Sequence, residues 1–114
     1  MTDYTIITLK ISTDFTNLPG ARYRTDGDNS GQEFFEEVMG PKLREIWGDK
    51  KKRLLLDLDD TEGYASSFLS EVFIRVVREF KDKMQIKERI LIKSDEEPLL
   101  IDTINKTIDE TPVE

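Results

Sequence analysis

The alternation of apolar and polar positions predicts where the chain forms strands. Residues 4–11, YTIITLKI, alternate from position 7 onward, which predicts a strand with one buried face. The run LLLDL at 54–58 is apolar on both faces and predicts a strand at the centre of a sheet. RILIK at 89–93 predicts a further strand, and ARYRT at 21–25 is predicted to pair antiparallel with the first as a hairpin.

Apolar residues at helical spacing predict three helices, over 31–47, over 66–83 and from about Pro98 onward. Ser30 is placed to begin the first of them with a capping box. Pro41 lies inside that helix, where it removes a backbone donor and clashes with the preceding turn. The first helix is therefore predicted to kink or split at that point.

Charged residues on these elements are expected to lie in solvent. Glu71 with Arg75, and Glu79 with Lys83, are predicted i,i+4 ion pairs on the 66–83 helix. Arg22 and Arg24 in the predicted hairpin are expected to be solvated strand residues.

The order β-β-α-β-α-β-α predicts an α/β fold with a mixed, mainly parallel sheet and helices packed on it. A chain of 114 residues has room for one domain with a modest core. We therefore predict a single domain over 1–114, with a disordered tail at 110–114.

Composition and charge narrow the possible functions. The 24 acidic residues against 17 basic ones give a formal charge of −7, which disfavours binding to nucleic acid or to an anionic membrane. The absence of Cys and His excludes thiol chemistry, imidazole catalysis and zinc bound by nitrogen or sulfur ligands. Neither a membrane span nor a signal peptide is predicted, so we expect a cytoplasmic protein without a membrane partner.

The sequence DLDDT offers one route to enzymatic activity. Asp57, Asp59 and Thr61 follow a buried strand with the spacing that resembles the nucleophile loop of haloacid-dehalogenase-type phosphatases. That resemblance implies a small magnesium-dependent phosphatase, with Asp57 as nucleophile and Asp59 as general acid-base. The other candidates for its machinery, Lys93 and Ser94, would come from one strand end, and the plainer interpretation is a solvated acidic loop.

A second resemblance rests on the residues that follow. LDLDDTEGYASSFLS resembles the loop of STAS domains, the bacterial anti-sigma factor antagonists, with Ala65 at their Asp, Ser66 and Ser67 at their hydroxyl pair, and Phe68 at their Gly. SGQEFFEEVMGPKL together with ASSFLSEVF resembles the STAS-like bacterial family of unknown function. The resemblance implies a STAS-like single domain in which a hydroxyl is phosphorylated by an ATPase of the histidine-kinase-like fold.

The leading hypothesis is therefore a non-enzymatic regulatory module that binds a protein partner, either that ATPase or a sensor protein. Ser66 or Ser67 is the candidate phosphorylation site, or else only a helix N-cap, and Ala65 and Phe68 leave open a module that docks without being phosphorylated. The predicted docking loop consists of Asp59, Asp60, Glu62, Tyr64 and Phe68. A nucleotide or anion site at the N-terminus of the 66–83 helix is a further alternative. No cofactor and no metal is expected, and the sequence leaves the oligomeric state open.

Overall fold

A computed structural model describes residues 3–114 and contains one parallel sheet. The strands are β1 (Thr5–Lys10), β2 (Lys52–Asp57) and β3 (Ile90–Lys93), in the spatial order β1-β2-β3. The run 54–58 thus forms the end of the central strand and the first residue after it, as its apolar residues predict.

Helices connect the strands and pack on the sheet. Within residues 3–114 they are α1 (Ile11–Asp14), a 3-10 turn (Arg24–Asp26), α2 (Gly31–Phe34), a π-helical segment (Phe35–Met39), α3 (Gly40–Trp47), α4 (Ser66–Phe80), α5 (Lys83–Arg89) and α6 (Leu99–Glu110). The predicted α/β class, with helices packed on a mainly parallel sheet, is confirmed.

The hydrophobic core packs against one face of the sheet. Leu9 on β1 and Leu54 and Leu56 on β2 are fully buried there, and Phe34 and Phe68 cover them from the helices. Side chains alternate across a strand, so the intervening residues point to the opposite face. The core therefore lies on one side of the sheet.

The predicted strand at 21–25 is wrong. Its backbone instead accepts hydrogen bonds from the first turn of α2, from Gly31 N to Ala21 O at 2.9 Å and from Gln32 N to Arg22 O at 3.0 Å. The first N–H groups of a helix have no partner within the helix, and this segment satisfies two of them. The observed order is consequently β-α-β-α-β-α, and the sheet of the described residues is wholly parallel.

The predicted irregularity at Pro41 takes the form of a π turn. The Gly40 N–H donates to the carbonyl of Phe35, five residues back, and the helix continues through Pro41 into α3. A π turn widens the backbone just ahead of the residue that cannot donate. A Cβ at Gly40 would lie 2.7 Å from the Phe35 carbonyl oxygen, so this close turn favours glycine.

The helix predicted over 66–83 is confirmed as α4 but ends at Phe80, and a separate helix that was not predicted, α5, begins at Lys83. Lys81 adopts a left-handed conformation with φ of 66° and ends α4, and the Asp82 carboxylate caps α5 by accepting from Gln85 N at 3.1 Å. The predicted Glu79–Lys83 pair does not form, because the two residues are on different helices. Glu79 instead pairs with Arg44 at 2.6 Å.

The last predicted helix is confirmed as α6, which begins directly after Pro98. Thr111, the residue directly after α6, is buried, and its hydroxyl donates to the Thr107 carbonyl at 2.7 Å. Disorder of the tail at 110–114 stays a prediction. Within residues 3–114, no helix has the length and apolar character needed to cross a bilayer.

Candidate functional site

The candidate site lies at the carboxyl edge of the sheet. The strands are parallel, so the loop after β2 (58–65) and the loop after β3 (94–98) emerge side by side at this edge. Leu58 N donates to Lys93 O at 2.8 Å, which ties the starts of the two loops together. In open parallel sheets this edge is where ligands and partners commonly bind.

Asp59 fastens the two loops to each other. Its carboxylate accepts from Lys93 Nζ at 2.7 Å and from the backbone N–H groups of Asp95 at 3.2 Å and Glu96 at 3.0 Å. The hydrogen bond from Lys93 holds the pKa of the Asp59 carboxyl below its ordinary value, and the same bond raises the pKa of Lys93. We call this arrangement of Asp59 with Lys93, Asp95 and Glu96 the Asp59 clamp.

Asp57 and Asp60 flank the clamp. Asp57 Oδ1 accepts from Asp59 N at 2.9 Å, and its other oxygen lies 3.9 Å from Lys10 Nζ. Lys10 donates to Asp60 Oδ2 at 2.5 Å, which raises the pKa of Lys10. Asp60 has a left-handed backbone with φ of 68°, and its N–H donates to the Glu96 carboxylate. The loop is thus held on both sides by lysines from β1 and β3.

These contacts favour a structural role for the acids of the DLDDT motif. Asp59 directs its oxygens at an ammonium group and two amides, and Thr61 Oγ1 accepts from Gly63 N at 3.2 Å within the loop. Within residues 3–114, no group of three or more Asp or Glu side chains is arranged to hold a metal ion. The phosphatase alternative with Asp57 stays a prediction, and the geometry is that of an organised acidic loop.

Tyr64 forms the wall of a shallow pocket beside the loop. Its hydroxyl donates to the Leu58 carbonyl at 2.9 Å, and burial raises its pKa to about 12. The pocket has a volume of about 270 Å³, with Leu58 and Leu100 as apolar lining and Glu62 and Glu97 among its acidic residues. An acidic rim around an apolar centre suits a partner segment that is basic and apolar.

Phe68 is not available to a partner, although it was predicted as part of the docking loop. The residue is fully buried, with its ring 5.9 Å from Phe34 and 5.8 Å from Tyr64 between centroids. The apolar stripe of α4 begins at this position, so Phe68 belongs to the core. Asp60 and Glu62 are exposed, Tyr64 is half-buried, and Asp59 is buried.

Ser66 and Ser67 are the first two residues of α4, and Ala65 occupies the N-cap position without a side-chain cap. Neither serine is therefore the N-cap of α4, and that alternative is wrong. Ser66 is exposed and Ser67 half-buried, and within residues 3–114 no hydrogen bond engages either hydroxyl. The Phe68 N–H already donates to the Ala65 carbonyl at 3.0 Å. The Ser66 hydroxyl is thus free to react or to contact a partner.

Three residues outside the acidic loop hold it in place, and none was predicted in that role, since Lys93 was a candidate only for the phosphatase machinery. Lys10, Lys93 and Glu96 orient the acidic loop, yet each is a common surface residue type in its local context. The predicted hairpin with 21–25 would have made β1 antiparallel to β2, so no positional signal was available for Lys10. For Lys93 a positional signal was available, because this residue ends a strand that was predicted to run parallel to β2. The carboxyl ends of such strands meet at one edge.

Comparison with known proteins identifies one family. A model described as "STAS-like domain of unknown function (DUF4325)" matches residues 30–100, which extend from the residue before α2 into the start of α6. No curated protein and no solved structure matches the chain.

Proposed function

The chain belongs to the family of STAS-like domains of unknown function, and on this premise we propose that it is a non-enzymatic regulatory module. It docks a protein partner through the loop 59–67 and the first turn of α4. The partner is an ATPase of the histidine-kinase-like fold, as the resemblance to anti-sigma factor antagonists implies.

The observation that carries the proposal is the state of the Ser66 hydroxyl. It is exposed, free of hydrogen bonds within the described residues, and located at the first helical position after the central strand's loop. The first turn of a helix of this length presents unpaired N–H groups and the positive end of the helix dipole, which stabilise a phosphate. Ser66 is the preferred phosphate acceptor over Ser67, because Ser67 is half-buried.

Phosphorylation at Ser66 acts as a switch through charge. A phosphate adds roughly −2 charge at neutral pH. It enters a surface that already carries the exposed carboxylates of Asp60 and Glu62, so the electrostatic potential that a partner meets changes strongly. The rigid Asp59 clamp behind this surface supports the proposal, since it keeps the loop in one conformation for recognition. Because the phosphate donor is ATP, the module acts in the cytoplasm.

The test is intact mass spectrometry after incubation with a candidate ATPase and ATP, with the ATPase encoded beside this protein as the first choice. The expected result is a gain of one phosphate that is lost in Ser66→Ala. Ser67→Ala keeps the gain, and Ser70→Ala, one turn further along α4, is the matched control. A gain that survives Ser66→Ala but disappears in Ser67→Ala contradicts the choice of acceptor.

Docking and phosphorylation are separated by a pull-down with the same ATPase. Glu62→Lys is expected to weaken binding at least tenfold, because it reverses an exposed charge in the proposed docking loop. Glu45→Lys reverses an exposed charge on α3 and is expected to leave binding unchanged. Magnesium-dependent turnover of a chromogenic phosphate ester that is abolished by Asp57→Asn would overturn the proposal in favour of an enzyme.

A further inference from the structure

The face of the sheet opposite the core is apolar at its centre and exposed. Thr8, Leu55 and Leu91 form one row across the three strands in this face. Leu91 is 40% exposed, Leu55 is half-buried, and Ile6 on β1 is 47% exposed. We call these four residues the open face. Exposed apolar side chains that adjoin one another on a sheet are a common feature of interaction surfaces.

Opposite charges border the open face at its two ends. At the amino end of the central strand, the run DKKKR at 49–53 has four basic residues and one acidic residue, and it keeps this edge positive although Asp3 and Glu88 lie at the amino ends of the neighbouring strands. We call this run the basic edge. The acidic edge, at the carboxyl ends, has seven acidic residues and two lysines, namely Asp57, Asp59, Asp60, Glu62, Asp95, Glu96 and Glu97 with Lys10 and Lys93. The open face is therefore bipolar along the strand direction.

We propose that the open face binds a second copy of this chain, face to face and with the strands antiparallel. A two-fold axis perpendicular to the strands places each basic edge over the acidic edge of the other copy. The alternative axis, along the strands, would oppose basic with basic and acidic with acidic. Charge complementarity therefore selects both the occupant and its orientation.

The register of β2 is compatible with this arrangement. Arg53 and Asp57 lie two positions before and after Leu55, so all three side chains belong to the same face. An axis through Leu55 brings the Asp57 end of β2 in one copy opposite the Arg53 end in the second copy, and the reverse. Arg53 and Asp57 are themselves buried within their own chain, so the exposed charges beside them, such as Lys51 and Asp95, make the contact between copies. Leu55 then packs on Leu55, as an isologous contact requires.

The size of the open face predicts a weak dimer. The three strands, two of six residues and one of four, span at most roughly 14 Å by 20 Å, an area well below the ~800 Å² that each partner buries in a stable interface. The charged edges must therefore contribute, and their attraction is screened by salt. We expect association at high protein concentration and low ionic strength, with dissociation as salt is added.

Sedimentation velocity across a concentration series tests the apolar part of the interface. The wild-type chain is expected to approach twice the monomer mass at low salt, and Leu91→Glu to remain monomeric. Leu99→Glu is the matched control, since Leu99 is 76% exposed outside the open face, and it should associate like wild type. Circular dichroism tests whether both variants are folded. If Leu91→Glu is unfolded, Thr8→Lys replaces it as the variant that disrupts the open face. A wild-type chain that stays monomeric, or a Leu99→Glu variant that alone dissociates, overturns the proposal.

Charge reversal tests the antiparallel orientation. Lys51→Glu and Asp95→Lys are each expected to weaken association at least fivefold, and the double variant is expected to restore it. With antiparallel strands the double variant again pairs opposite charges, whereas with parallel strands it still opposes like charges. Failure of the double variant to recover contradicts the proposed orientation. Association is measured here without ATPase or ATP, so failure of the dimer proposal is distinguishable from failure of the phosphorylation proposal.

Discussion

Lys93 Nζ lies 2.7 Å from Asp59 Oδ2, and this ion pair joins the loop that follows the central strand to the end of β3. Two backbone N–H groups of the next loop donate to the same carboxylate. The pair therefore connects the two loops at the carboxyl edge of the sheet.

Removal of the clamp should destabilise the protein measurably. Asp59→Asn keeps the size of the side chain but removes the charge that Lys93 and the two amides contact. We expect a loss of about 2 kcal/mol in the free energy of unfolding by urea, the range for hydrogen bonds to a charged group. Asp28→Asn, at an exposed position, should change it by less than about 0.5 kcal/mol. Equal effects of the two substitutions would show that the clamp contributes no stability.

The clamp also predicts how stability depends on pH. The folded-state pKa of Asp59 lies below its unfolded value because of Lys93. Its contribution is therefore complete above the ordinary aspartate pKa of about 4 and is lost as the pH falls through the lower, folded-state pKa. Urea unfolding at several pH values should give a constant difference between wild type and Asp59→Asn near neutrality, and the difference should shrink in acid. A difference that is unchanged in strong acid would contradict the assignment.

Substitution of Arg89 should lower the stability of the protein more than substitution of most other charged residues. Its guanidinium is buried and donates to the carbonyls of Ile46 at 2.5 Å and Asp49 at 2.7 Å, just where α3 ends, while it stacks 4.6 Å from the Trp47 ring centre. Lysine cannot reproduce this forked geometry. Arg89→Lys is expected to lower the free energy of unfolding by about 2–4 kcal/mol, since it leaves buried carbonyl groups without donors.

The matched control for Arg89 is Arg78→Lys, at an exposed position on α4, which should be nearly neutral. Fluorescence of Trp47, the single tryptophan, provides a local readout because the guanidinium lies against its ring. An unchanged emission maximum in Arg89→Lys would show that the stacking is not maintained in solution.

Two glycines should respond oppositely to the same substitution. A Cβ at Gly31 would lie 2.5 Å from the Phe68 carbonyl oxygen, where α2 crosses α4. Gly31→Ala must push the two helices apart and is expected to cost about 1–3 kcal/mol. At Gly48 the backbone is right-handed helical and a Cβ would meet only the Glu45 carbonyl at 3.8 Å. Gly48→Ala should be neutral or stabilise by about 0.5–1 kcal/mol in thermal or urea unfolding. A neutral Gly31→Ala would show that the crossing is looser than the structure has it.

Periodicity predicted the parts of the fold in which local pattern and burial coincide. The apolar run on β2, the stripe of α4 and the apolar face of α6 each bury one continuous set of residues, so their types and approximate bounds could be read directly. The break between α4 and α5 could not, because it depends on a left-handed Lys81 where glycine is the usual signal. The strand predicted at 21–25 does not form, because the backbone carbonyls of this segment accept hydrogen bonds from the first turn of α2. The pattern of apolar and polar residues does not predict these hydrogen bonds.

The sequence by itself determined the α/β class, the central strand and the location of the candidate site at its carboxyl end. The reason is that the buried face of a strand or helix recurs at a fixed spacing along the chain, every two residues in a strand and about every 3.6 residues in a helix. Tertiary structure alone decided that Asp59 is clamped by Lys93, that Phe68 is buried, and that Ser66 presents a free hydroxyl. These outcomes depend on groups far apart in the chain, whose contacts exist only once the parallel strands bring their ends to one edge.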